Sequence, residues 1–117
     1  MDTVTIYHNP ACSKSRETLE LLAAHGIEPK IILYLQTPPT QPELSVLLQK
    51  LNITARQLLR RSETAFINRG LADESLSDEA LLQAMVSEPR LIERPIVVVG
   101  KQARLGRPPT QVLELLR

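Results

Sequence analysis

Cys12 is the only cysteine in this 117-residue sequence, and it lies between a strand-like segment and a helix-like one. The run Val4-Thr5-Ile6-Tyr7 is rich in β-branched residues and predicts a strand, whereas a helical pattern begins at Ser13. Backbone N–H groups and the helix dipole stabilise anions at such a junction, and cysteines placed there have pKa values of roughly 3.5–7.5 instead of about 8.5. The position therefore predicts a nucleophilic thiolate, with a small buried apolar side chain as the alternative.

The neighbours of Cys12 favour the same interpretation. Lys14 and Arg16 follow within one helical turn, and we expect both to lower the pKa of the thiol. His8 precedes Cys12 in the same loop and could supply charge or a proton, or could be an ordinary histidine of a surface loop. Ser15 stands where a C-x-x-C redox pair has its second cysteine, so a resolving thiol must come from another molecule.

Two other kinds of cysteine site do not fit this sequence. Phosphatases that use a cysteine carry an arginine six residues later, and that position holds Thr18. One cysteine and two histidines do not form the usual clusters of structural zinc. We therefore expect no metal.

The elements around Cys12 form a recognisable unit. The first helix should bury Leu19, Leu22 and Ala23 and end at Gly26, and segment 31–34 predicts a second strand. Strand, helix and strand within about thirty residues make a βαβ unit, whose strands run parallel with a right-handed crossover.

The middle of the sequence is predicted to be helical. Thr40 with Glu43, and Thr54 with Gln57, have the spacing of capping boxes. A further helix is expected to begin after Ser77 and to end at Pro89. Apolar stripes at helical spacing accompany these signals: Leu44, Leu47, Leu48 and Leu51 in the first helix, and Leu81, Leu82 and Met85 in the last.

The last third predicts two strands and a helix. Segment 95–99 predicts a buried strand, and segment 103–105 predicts its short partner. A final helix is expected to begin at Pro108-Pro109, with Val112, Leu113 and Leu116 on its apolar face. The order βαβ, helices, ββα predicts an α/β, thioredoxin-like fold with a central mixed sheet. We expect a single domain over 1–117 with a helical insertion at about 40–90.

Composition excludes several classes of protein. A hydrophobic fraction of 43% and a charged fraction of 23% are typical of a globular protein, and a net charge of +1 gives no reason to expect nucleic acid or anionic lipid as a partner. No apolar stretch approaches the roughly 20 residues that span a bilayer, and residues 1–7 lack the pattern of a signal peptide. We therefore expect a cytoplasmic protein that binds neither membranes nor nucleic acid. Ten of its fourteen basic residues are arginine, whose planar fork suits oxyanions.

Several blocks of the sequence resemble one known family. The run Tyr7-His8-Asn9-Pro10-Ala11-Cys12-Ser13-Lys14-Ser15-Arg16 is similar to the signature of the glutaredoxin-dependent arsenate reductases. Leu58-Leu59-Arg60, then segment 91–99, and finally Arg104-Leu105-Gly106-Arg107-Pro108 resemble later blocks of that family in the same order.

This resemblance implies a mechanism and a set of residues. Cys12 would be catalytic, Arg60, Arg94 and Arg107 would bind the oxyanion, and the Arg94-Pro95 peptide would be cis. Cys12 would attack arsenate to form a thiol–arsenate ester, glutathione would attack next, and glutaredoxin would reduce the mixed adduct so that arsenite leaves. Glutathione would be a co-substrate, with no bound cofactor. His8, Lys14, Ser15 and Arg16 would support the thiol.

Two other functions remain open at this point. A monothiol oxidoreductase linked to glutathione or glutaredoxin would also need one thiol, but mixed disulfides do not require three oxyanion-binding arginines. An Spx-like transcriptional regulator would share the fold and bind RNA polymerase, but its redox switch needs two cysteines, and Ser15 replaces the second.

Overall fold

A four-stranded mixed sheet organises one of the two units into which the chain folds. The computed structural model describes residues 3–116. One unit comprises the described residues up to Thr37 together with those from Arg94 onward, and the other is Pro38–Glu93.

The sheet of the first unit contains strands β1 (Val4–Tyr7), β2 (Lys30–Ile32), β3 (Ile96–Val99) and β4 (Gln102–Leu105), in the order β2-β1-β3-β4. The β1–β2 pair is parallel, as the βαβ pattern predicted, and the β1–β3 and β3–β4 pairs are antiparallel. A mixed sheet is thereby confirmed. Strand β2 is shorter than predicted because the Leu33 carbonyl accepts the amides of Gln36 and Thr37, which turns the chain away from the sheet.

Helix α1 (Ser13–Ala24) covers this sheet through a face that differs in part from the predicted one. Its buried residues are Ser15, Thr18 and Leu22, whereas Ala23 is exposed. The prediction for Ala23 is wrong because the helix turns the Thr18 side toward the rest of the unit, which places Ala23 on the solvent side. Gly26 ends the helix as predicted, with φ of 74° and its amide donating to the Ala23 carbonyl.

The C-terminal segment Pro109–Leu116 is a 3₁₀ helix. It buries Val112 and Leu115, whereas the prediction named Val112, Leu113 and Leu116. A 3₁₀ helix has three residues per turn, so residues three apart lie on the same face. Leu115 is therefore buried on the same side as Val112, and Leu113 is not. The core of the unit joins this helix to α1 and the sheet through Val4, Ile6, Leu22, Val97, Val112 and Leu115.

The second unit is helical. Its elements are α2 (Gln41–Leu51), α3 (Ala55–Leu58), α4 (Thr64–Asn68), α5 (Asp78–Ser87) and a 3₁₀ turn at Pro89–Leu91. Both predicted capping boxes are present, at Thr40 and at Thr54, and the Ser77 hydroxyl accepts the Ala80 amide at 3.1 Å. Helix α4 was not predicted, because five residues carry too little periodicity to reveal a helix.

Helix α5 packs against α2 and α3 and supplies much of the core of the second unit. Leu81, Leu82 and Met85 are buried as predicted, and of the predicted α2 stripe only Leu48 is half-buried. Within the described part of the chain, no helix is long and apolar enough to cross a membrane.

Candidate active site

The loop between β1 and α1 holds Cys12 at the N-terminal end of the helix. Asn9 shapes this loop, because its carbonyl accepts the Cys12 amide at 3.0 Å and its side-chain Oδ1 accepts the Ala11 amide at 3.0 Å. Cys12 is the N-cap residue of α1, and only 9% of its surface is exposed. The loop therefore holds a largely buried thiol at the start of the helix.

Two arginines from the distant end of the sequence meet this thiol. Arg107 Nη2 donates to Cys12 Sγ at 3.7 Å, while Arg107 Nε donates to the Arg94 carbonyl at 2.7 Å. The guanidinium of Arg94 also donates to the sulfur, and Arg94 is 9% exposed. The fold thus brings together three of the four residues that the resemblance implicates. The Arg94-Pro95 peptide is cis as expected, and so is Arg107-Pro108.

The electrostatic surroundings lower the pKa of Cys12 below its ordinary value. Burial acts against this by favouring the neutral thiol, but the Arg94 hydrogen bond, the Ser15 amide, the Arg94 charge and the Lys14 amide together outweigh it. A lowered pKa increases the thiolate fraction at neutral pH, and the thiolate is the nucleophilic form.

The sources of this pKa shift differ from the predicted ones. Side-chain charges of Lys14, Arg16 and His8 were expected to lower the pKa, but the groups that lower it are Arg94 and the backbone amides of Ser15 and Lys14. Lys14 acts through its backbone amide, while its exposed ammonium pairs with Glu17 at 3.5 Å. Arg16 points back along the loop and donates from Nη1 to the Pro10 carbonyl at 2.9 Å.

His8 is buried and neutral, not a charged group of a surface loop. Only 6% of the residue is exposed, and its Nδ1 lies 2.7 Å from the Ser15 hydroxyl oxygen. Burial lowers the pKa of His8, and the Arg16 charge lowers it further, so the imidazole is uncharged at neutral pH. His8 therefore contributes a hydrogen bond to the loop and no positive charge to the thiol.

Ser15 connects His8 to the loop backbone. Its side chain is fully buried, and its oxygen also accepts the Asn9 amide at 3.0 Å. The sequence predicted Ser15 both as the position of a missing cysteine and as a residue that supports the thiol, and it did not single out Asn9. The Asn9-Pro10 pair, which is typical of a turn formed by an asparagine side chain, was the available signal.

Arg60 lies in the second unit, where a short antiparallel contact positions it. Leu59 pairs with Ile92, and the Arg60 amide donates to the Leu91 carbonyl at 2.7 Å. Its guanidinium forms ion pairs with two carboxylates, Nε to Glu63 at 3.3 Å and Nη1 to Glu93 at 3.0 Å. A role for Arg60 at the Cys12 site stays a prediction.

No group of three or more His, Cys, Asp or Glu side chains among residues 3–116 has the arrangement of a metal site. The chemistry available at Cys12 comes instead from a lowered thiol pKa, two guanidinium groups and the N-terminal amides of a helix. This combination suits nucleophilic attack on a small oxyanion.

Known proteins are similar in sequence to this chain over almost its full length. The ArsC family model matches residues 7–115. An arsenate reductase of Rhizobium meliloti (strain 1021) is 48% identical over 97% of this chain and 81% of its own length. The arsenate reductase of Escherichia coli (strain K12) is 47% identical over 99% of this chain and 82% of its own length. An uncharacterized protein of the same strain, YfgD, is 56% identical over 97% of this chain and 96% of its own length.

A solved structure has the same fold. The arsenate reductase of Vibrio cholerae superposes with a TM-score of 0.94 at 54% identity and covers 97% of each chain. This match confirms the predicted α/β, thioredoxin-like fold with its central mixed sheet. The family-model match and the relatives confirm the resemblance found in the sequence, and the chain belongs to the ArsC family.

Proposed function

We propose that this protein is an arsenate reductase that uses Cys12 as its nucleophile. The observation that carries the proposal is the convergence of the Arg94 and Arg107 guanidinium groups on the Cys12 sulfur. The arsenate reductases of Rhizobium meliloti and Escherichia coli, at 48% and 47% identity, support the substrate.

The first step joins arsenic to sulfur. The Cys12 thiolate attacks arsenate, an As–S bond forms, one As–OH bond breaks, and the departing hydroxide takes up a proton and leaves as water. Thiolate and arsenate repel each other, because both are negatively charged. Arg94 and Arg107 offset this repulsion, and we propose that Arg60 binds the same oxyanion as a third donor.

The second stage reduces arsenic. Two electrons convert As(V) to As(III), and two external thiols supply them as their sulfurs join in one disulfide. The sequence contains no second cysteine, so the resolving thiol is external. We propose glutathione as this co-substrate, glutaredoxin as the partner that reduces the mixed adduct, and no bound cofactor. These partners are consistent with the reducing cytoplasm, where we expect the protein to act.

The arginines favour this reaction over thiol exchange on glutathione mixed disulfides. A disulfide sulfur carries no oxyanion, so a thiol–disulfide oxidoreductase would use the guanidinium groups only to keep its own thiol ionised and would have no substrate oxygen for them to bind. A tetrahedral oxyanion gains from both, because each guanidinium can donate to a different oxygen.

A coupled assay tests the proposal. The purified protein receives arsenate, glutathione, glutaredoxin, glutathione reductase and NADPH, and NADPH oxidation is followed. We expect an arsenate-dependent rate that disappears in Cys12→Ser and in the absence of glutathione. Equal rates for the wild type and Cys12→Ser would refute the proposed function.

A further inference from the structure

Gly106 lies in a space that has no room for a side chain. A Cβ atom at this position would collide with Thr18 Oγ1 and would stand 2.7 Å from Pro95 Cγ. The backbone of Gly106 does not have a positive φ, in contrast to Gly26, Gly70 and Gly100. Glycine is therefore required here by space and not by backbone conformation.

The two neighbours that fill this space cannot easily move. Thr18 is fully buried on α1, and its hydroxyl donates to the Lys14 carbonyl at 2.8 Å, which fixes the side-chain rotamer. Pro95 is a rigid ring, and its own carbonyl accepts the Gly106 amide at 3.0 Å. A side chain at position 106 would have to push the segment itself away.

That segment carries Arg107 to the thiol. Gly106 and Arg107 bond to consecutive carbonyls, since the Gly106 amide donates to Pro95 and Arg107 Nε donates to Arg94 at 2.7 Å. Nη2 of the same guanidinium lies 3.7 Å from Cys12 Sγ. The close contact with α1 thus sets how far the Arg107 fork extends toward the sulfur.

We infer that Gly106 is a positioning residue of the active site, whose missing side chain lets the Arg94–Arg107 pair approach Cys12. The inference concerns geometry at the thiol, and its importance for turnover rests on the proposed arsenate reductase function.

The size of the effect follows from the contact with Pro95. Carbon atoms normally approach to about 3.5 Å, so the ring alone demands a displacement of about 0.8 Å, and Thr18 demands more. A misplacement of about 1 Å in an active site can cost about 10²-fold in rate. For Gly106→Ala we expect kcat/KM for arsenate to fall about 10²-fold, and the midpoint of Cys12 alkylation against pH to rise toward about 8.5.

Two further variants separate positioning from general damage. Gly26→Ala introduces strain at φ of 74° but meets no atom within 4 Å, so it should lower thermal stability and leave the alkylation profile and KM unchanged. Thr18→Ala/Gly106→Ala removes the nearest obstacle and should regain part of the activity lost in Gly106→Ala. Thr18→Ala alone serves as its reference.

Iodoacetamide alkylation, the arsenate assay and thermal denaturation of all variants decide the question. A folded Gly106→Ala with wild-type alkylation and wild-type kcat/KM would overturn the inference, and so would a double variant that is no better than Gly106→Ala. Failure of both Gly106 variants to fold, with the other two folded, would also overturn it by making the contact a requirement of the fold. A wild type inactive on arsenate, combined with a shifted alkylation profile in Gly106→Ala, would refute the proposed function and leave the positioning role supported.

Discussion

Arg107 makes two different contributions to the thiol, and a lysine at this position would separate them. The guanidinium donates from Nη2 to Cys12 Sγ at 3.7 Å and from Nε to the Arg94 carbonyl at 2.7 Å. A lysine ammonium carries the same charge but is a single point, so it cannot reach both atoms in that fixed geometry. Arg107→Lys therefore retains the charge and loses the fork, whereas Arg107→Gln loses both.

The charge of Arg107 and its hydrogen-bonding fork should affect different measured quantities. Two unit charges 3.7 Å apart interact by about 4 kcal/mol at an effective dielectric constant of about 20, so the charge should matter for thiolate formation. A preorganised donor at a developing anion contributes about 10²–10³ in rate, or roughly 3–4 kcal/mol. We expect Arg107→Lys to lower kcat/KM for arsenate about 10²-fold while the pKa of Cys12 stays low. Arg107→Gln should lower kcat/KM further and raise that pKa.

Alkylation rate against pH and the coupled NADPH assay measure these two quantities separately. Arg104→Lys is the matched control, because Arg104 lies on β4 and pairs with Glu114 at 3.2 Å on the surface. Arg107→Lys within about threefold of the wild type would refute the argument that the fork binds the oxyanion.

Three further predictions concern other groups of the two units. The pKa of Cys12 is lowered in the folded protein, so thiol ionisation stabilises the fold above the ordinary cysteine pKa of about 8.5, and this stabilisation is lost as pH falls through the lowered value. Urea unfolding should therefore show the stability of the wild type relative to Cys12→Ser rising with pH and levelling above about 8.5, and a difference independent of pH would contradict this. The imidazole of His8 should titrate below about 6.5 in NMR spectra, because burial and the Arg16 charge both lower its pKa; a midpoint at or above that value would contradict its burial. Glu93→Gln removes an ion pair of Arg60, and under the proposed role of Arg60 in oxyanion binding kcat/KM for arsenate should fall about two- to fivefold, whereas a gain in arsenate affinity would show that Glu93 opposes the substrate.

Local sequence signals predicted the elements that hold Cys12. The strand before the cysteine, the helix after it and the glycine at the helix end depend on residues within a few positions of one another. The capping boxes at Thr40 and Thr54 are equally local, since each joins residues three apart. Such features form in nearly any tertiary context, which is why they could be predicted.

Features that depend on packing partners were predicted less well. The exposed position of Ala23 and the burial of Leu115 follow from how each helix meets the core, and sequence spacing alone does not specify that orientation. The source of the Cys12 pKa shift was missed for the same reason. The side chains of Lys14 and Arg16 are near Cys12 in sequence but have other partners, while Arg94, which lowers the pKa most, lies far along the chain and reaches the sulfur only through the fold.

The family resemblance, and not periodicity, selected Arg94 and Arg107 from the ten arginines of the sequence. Gly106 shows the limit of both approaches. It stands inside a block that resembles the family, yet only the positions of Thr18 and Pro95 reveal why a glycine is needed there.

The buried hydroxyl of Ser15 also bears on the source of the electrons, because a hydroxyl group at this position cannot form a disulfide with Cys12. Its oxygen is enclosed and bonds to both His8 and the Asn9 amide, so a sulfur at this position would have to give up well-formed hydrogen bonds in a space without solvent. Under the proposed function, the protein stores no reducing equivalents and draws two from external thiols in every cycle. Its rate in the cell would then follow the supply of those thiols, and under oxidative stress arsenic would remain bound to Cys12 until the supply recovers.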